Sequence, residues 1–148
     1  MLSETLPSAV DTLLKRLGYA GLLPFVGLAM LLWLVKSELH GMVTLALTTY
    51  AALIASFLGG LHWGVAFLKG DKTPLFHSVW GVTPALVAWV ALLLPASAGL
   101  PLLGLLLVAC YAVDHTTWPK LGLGHWLPLR RHLTLVATLS CLLGAAAA

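Results

Sequence analysis

The sequence predicts an all-α integral membrane protein: one domain, residues 1–148, holding five transmembrane helices led by a short interfacial amphipathic helix. Three observations carry this. Hydrophobic residues make up 60% of the chain and charged residues 9%, against about 25% charged in soluble domains. A chain so poor in charge cannot wet its own surface. Its length also holds five apolar runs near the roughly 20 residues that a spanning helix needs. Its basic residues, finally, are one-sided. Five crossings put Lys15, Arg16, Lys69, Lys72, Lys120, Arg130 and Arg131 on one face of the bilayer and leave only Lys36 on the other. The positive-inside rule then places the N-terminus on the cytoplasmic side and the C-terminus opposite.

Residues 8–17, SAVDTLLKRL, open the described pattern as the surface helix. Ser8 can cap it, and Asp11 lies in the first turn, where the helix dipole favours an acid. Val10, Leu13, Leu14 and Leu17 share a face, leaving Lys15 and Arg16 to water or headgroups. The spans follow at about 19–35, 42–68, 77–94, 100–118 and 129–146. The connections at 37–41 and 95–99 are short. The connection at 116–128 is the longest and carries Trp118 and Trp126, residues suited to the interface. No cleavable signal peptide is visible ahead of the first span. Pro24 and Pro84 fall inside the first and third spans. Each removes a backbone donor and frees a carbonyl one turn back, at Ala20 and Trp80, which in lipid needs another partner. Cys110 and Cys141 lie in apolar runs and read as packing residues, not as a disulfide framework.

The second span is amphipathic in size. On a wheel of about 100° per residue, Thr48, Ala52, Ser56, Gly60 and Gly64 follow at intervals of four, with Ala51, Ala55 and Gly59 beside them. Leu47, Ile54, Phe57, Leu58, Leu61, Val65 and Leu68 gather opposite. Bulky side chains are expected toward lipid and small ones toward another helix, as in small-xxx-small packing. His62 falls on the row Ala55–Gly59–His62–Ala66 and so points into the bundle. An ionisable group at that depth requires a partner. Trp63 borders the packed face, and its indole N–H needs an acceptor; a carbonyl freed by a proline is one candidate.

The segment around this histidine, SFLGGLHWG, resembles a membrane-protein family of unknown function that includes mitochondrial transmembrane protein 69 and many proteobacterial homologues. LGYAGLLPF, WGVTPALVAWVALLLP and WLPLRRHLTLVATLS are similar too, so the resemblance runs over nearly the whole chain. It implies a multi-pass protein of a bacterial inner (plasma) membrane with no established activity. It also implies that arginine is admitted at the position of His62, which favours a polar contact there over a strict metal or haem ligand.

Five of the six histidines, His62, His77, His115, His125 and His132, map to the cytoplasmic half or its loops. Asp114 lies near the end of span four, Tyr111 shares its helix face, and Arg130, Arg131 and His132 open span five. The sequence thus allows a polar, aromatic pocket of His62, Trp63, Trp80, Tyr111, Asp114 and Arg130. Three readings of it compete. In the structural one, Asp114 pairs with Arg130 or Arg131 and His62 bonds a neighbouring backbone. In the second, the cluster binds a quinone, a lipid headgroup or another amphipathic molecule. In the third it is a metal, haem or proton site, with His62 and His115 as weak metal candidates. No His pair at i, i+4 and no HExxH, CxxC or CxxCH supports the third. His77, His125 and His132 are expected at the interface.

Phosphate loops, dinucleotide fingerprints and nucleophile elbows are missing, so a non-enzymatic role without a cofactor is expected. The leading expectation is a scaffold or accessory subunit. It would pack through Thr48, Ala52, Ser56, Gly59, Gly60 and Gly64 as a homo-oligomer or inside a larger membrane complex. Binding of a quinone or lipid is the alternative. Transport or channel activity is weakened by the lack of a repeat and of midplane charge. The net charge of +3 comes from few residues, so the partner is the bilayer and not nucleic acid.

Overall fold

The computed structural model describes residues 8–148, which form six α-helices: α1 (Ala9–Ala20), α2 (Leu22–Leu34), α3 (Ser37–Lys69), α4 (Leu75–Leu93), α5 (Ala96–Thr117) and α6 (Leu127–Ala147). Among the described residues there is no strand. The lead-in ahead of Ser8, read above as uncleaved, lies outside them. Four stretches are long and apolar enough to cross a membrane: Ala9–Leu34, Ser37–Lys72, Leu75–Leu93 and Ala96–Thr117. The helix expected as the fifth span, α6, is 21 residues long but is not among them. Its start carries Arg130, Arg131 and His132, which lower its hydropathy.

The first span is divided differently from the expected 19–35. The Ser8 hydroxyl accepts from the Asp11 amide at 3.1 Å and caps α1, but α1 then runs on to Ala20 and passes into α2 through Gly21 alone. Pro24 accounts for the step, because it has no N–H to donate to Ala20. Tyr50 of α3 donates its hydroxyl to the Gly21 carbonyl at 2.6 Å and packs edge-on against Phe25, tying the step to the core. The other links are shorter than expected. Val35 and Lys36 join α2 to α3, and Leu94 and Pro95 join α4 to α5.

α3 and α4 pack as a hairpin, as do α5 and α6, and α2 packs on both α3 and α6. Gly70 ends α3 at φ 57°, a backbone region that suits glycine. The core is aliphatic: Leu32 of α2, Leu47 of α3, and Leu100, Leu103 and Leu107 of α5 are fully buried, with Phe25 beside them. Gly144, near the end of α6, is pressed against Leu47, Leu100 and Leu32. Arg130, at its start, meets Asp114 near the end of α5. α6 therefore runs antiparallel to α5.

The packed face of α3 is rotated from the expected one. Thr48, Ala51, Ala52, Ala55, Gly59 and His62 are buried, and so are Leu47 and Leu58, which were expected to face lipid. Gly60 and Gly64 meet nothing within 4 Å, measured from where a Cβ would sit. The reason is geometric. A row of spacing four advances about 40° per step, so between Thr48 and Gly64 it turns by about 160° and leaves the interface. Mixed steps of three and four hold the small residues and His62 of the buried set within about 100°, with Leu47 and Leu58 at its edge. At Gly59 a Cβ would lie 2.8 Å from the Gly81 carbonyl oxygen and 3.0 Å from Pro84 Cγ, so α3 and α4 approach closely there. The Trp63 ring lies over Gly81. Its Nε1 donates to the Ser78 carbonyl at 2.8 Å, not to the Trp80 carbonyl that Pro84 frees.

Candidate functional site

One chain of polar side chains crosses the bundle at its Lys-rich end and takes a member from each of four helices. His77 of α4 and His62 of α3 face each other, Nδ1 to Nδ1, at 2.8 Å. His62 Nε2 lies 2.9 Å from Asp114 Oδ1 on α5. On α6, Arg130 donates to Asp114 Oδ2 from one terminal nitrogen at 2.9 Å and from Nε at 3.2 Å. Its other terminal nitrogen donates to Thr134 Oγ1 at 3.3 Å. The exposures are 5% for His77, 1% for His62, 1% for Asp114 and 6% for Arg130. The Arg130 guanidinium also lies 5.7 Å from the centre of the Trp118 ring, within cation–π range.

With His62 and His77 neutral, the bonds fix the protons. Arginine is always charged, and a carboxylate paired with it only accepts. His62 must then donate from Nε2. When neutral it accepts at Nδ1, so His77 donates from its own Nδ1 and keeps a lone pair on Nε2. Arg130 has five N–H donors, and the three bonds above engage three of them. Two are left.

Three of the six residues expected in one pocket, His62, Asp114 and Arg130, stand together. The others stand elsewhere. Trp63 closes the outer seam between α3 and α4, Trp80 stacks on Phe76, and Tyr111 lies edge-on to His115. None of these three lines either of the two cavities described below; they stand on α3, α4 and α5 respectively. His62 contacts Asp114 and His77, not a neighbouring backbone. His115 is exposed, and among the described residues no group of three His, Cys, Asp or Glu is placed to hold a metal ion. His132 does lie near the surface, where Tyr19 Oη is 3.2 Å from its Nδ1. His77, expected at the interface, is buried instead. The spacing held its signal: His62 precedes Lys69 by seven residues and His77 follows Lys72 by five. A tight turn between the lysines therefore brings the two rings to similar depth.

Each end of the chain borders a cavity. On one side a cleft of about 680 Å³ opens between α1, α2, α3 and α6. Its walls are Leu, Phe, Trp and other apolar side chains, including Leu17, Phe25, Phe57 and Leu61, and Gly64 edges it. Its side-chain polar groups are His62, Arg130 and Thr134, with the Trp118 and Trp126 indoles at the same end. On the other side, His77 borders a smaller basic cavity of about 360 Å³.

Comparison with known proteins gives a family without an activity. The chain is 36% identical over 134 residues to "Transmembrane protein 69" of Xenopus tropicalis. The match covers 84% of this chain and 50% of that protein, so the chain spans about half the length of this relative. No solved structure matches the chain. The profile of a family described as "Protein of unknown function (DUF3429)" matches residues 10–146, and with nearly the whole chain inside that match, it belongs to the DUF3429 family.

Proposed function

We propose that this chain is a five-span, non-enzymatic protein of a bacterial inner membrane that holds an amphipathic molecule, a quinone or a lipid, in the cleft between α1, α2, α3 and α6. The observation that carries this is the cleft's division of polarity. Its volume of about 680 Å³ falls in the usual range for small-molecule sites, about 300–1,000 Å³. Its walls are apolar except where His62, Arg130 and Thr134 meet. An apolar tail would lie along the leucines and phenylalanines. An acceptor oxygen would take the two N–H groups that Arg130 has left. The fifth crossing rests on length: 21 residues rise about 32 Å, against a hydrocarbon core of about 30 Å.

Purification in mild detergent, lipid extraction and mass spectrometry test this reading. One enriched amphipathic molecule is expected. Leu61→Trp, which fills the cleft, should empty it, and Thr134→Val should lower its content several-fold. Equal content in all three proteins would overturn the reading.

The scaffold reading stands second, and one observation favours it. Three of its six expected residues, Thr48, Ala52 and Gly59, are occupied within the fold, but Gly60 stays open and exposed. A stoichiometric partner or a homo-oligomer in a mild-detergent pull-down would support it, and a clean monomer would count against it.

A further inference from the structure

The basic cavity of about 360 Å³ is framed by Lys69 at the end of α3, Lys72 in the turn after it, Lys120 in the α5–α6 connection, and Phe76 and His77 at the start of α4. No carboxylate lines it. Three lysines from three segments line one hollow, and their positive charge calls for an anion. His77 narrows the choice. Its Nδ1 is engaged by His62, and its Nε2 makes no hydrogen bond among the described residues. With both rings neutral, the Asp114–Arg130 pair, acting through His62, leaves that Nε2 with a lone pair. The ligand must therefore accept from lysines and also donate to a nitrogen. Chloride, sulfate and phosphodiesters have no proton to donate. Monobasic phosphate and singly protonated phosphate monoesters do.

We infer that this cavity binds a phosphate monoester group. Its free oxygens accept from Lys69, Lys72 and Lys120, and its P–OH donates to His77 Nε2. The proton stays on the phosphate oxygen and is shared in a hydrogen bond, so none is drawn from solvent. Inorganic phosphate and the headgroup of phosphatidic acid carry the same chemistry. Phe76, Val65 and Leu121 in the wall would accommodate the glycerol end of the latter.

The test uses the full chain in phosphatidylcholine nanodiscs, titrated calorimetrically near neutral pH with inorganic phosphate and with sulfate. In parallel, co-purification from mixed vesicles compares phosphatidic acid with phosphatidylglycerol, a diester. A free-phosphate site binds phosphate at least about tenfold tighter than sulfate, a difference of about 1.4 kcal/mol. A lipid site instead enriches phosphatidic acid over phosphatidylglycerol by a similar factor. Lys120→Gln, at an exposed position, should weaken either form of binding. Lys15→Gln, outside the cavity, should not. His77→Gln, whose amide can donate as well as accept, should bring the monoester preference close to one. If His77→Gln fails to fold, the preference of the unaltered protein and the two lysine variants still decide. No preference for the monoester in either series, or equal losses in Lys15→Gln and Lys120→Gln, would overturn the assignment.

Discussion

Asp114 accepts hydrogen bonds from two helices at once, from His62 on one oxygen and from Arg130 on the other. Its removal leaves a guanidinium buried without a counter-charge. Asp114→Asn is therefore expected to destabilise the fold by about 3–5 kcal/mol, the range for breaking a buried pair. Tryptophan-fluorescence unfolding in detergent would register this as a clear fall in midpoint. The double variant Asp114→Leu, Arg130→Met should lose less, because no charge stays behind. A double variant as unstable as the single one would show that the pair is needed for more than mutual neutralisation. At this scale the sequence was informative where spacing decides. His62 was legible as inward because it shares a face with Ala55 and Gly59, and Asp114 with Arg130 because opposite charges near adjacent span ends have few alternatives. His77 was harder to place. Its depth depends on how tightly the chain turns at Gly70, which no periodicity reports.

Between helices, close approach depends on which glycine is covered. Gly81 lies under the Trp63 ring and Gly59 against the Gly81 carbonyl, whereas Gly60 faces open space. Gly81→Leu should displace Trp63, break its bond to Ser78, and lower the thermal midpoint sharply. Gly60→Leu should leave the stability within about 0.5 kcal/mol of the unaltered protein, as surface substitutions do. If light scattering shows that Gly60→Leu changes the oligomeric state at unchanged stability, the open glycine faces another copy. The number of helices and their approximate limits could be read from hydropathy. The rotation of α3 could not be read from its longest row of small residues, since only mixed steps of three and four stay on one side of a straight helix. The passage from α1 to α2 was hidden for a similar reason. Pro24 signals a missing bond, but the place where the chain gives way depends on Tyr50 reaching Gly21 from another helix.

For the molecule as a whole, the count of crossings decides where the ends lie. With α6 as a fifth span, Lys120→Cys and Ala148→Cys should react with a membrane-impermeant maleimide from opposite faces, Lys120→Cys from the cytoplasmic one. The native Cys110 and Cys141 are buried and should stay silent. Labelling of both new thiols from one face would return the count to four. The Asp114–Arg130 bond has a bearing on biosynthesis as well. A lone acidic or basic residue at the centre of a nascent helix is charged about 2.5–3.5 kcal/mol on leaving the translocon for lipid, and less toward the ends. The two residues sit on successive helices, sixteen positions apart. They can neutralise each other in the lateral gate before either meets acyl chains. With α6 as a fifth span, α5 and α6 would enter the bilayer together, the less apolar helix carried in by its predecessor.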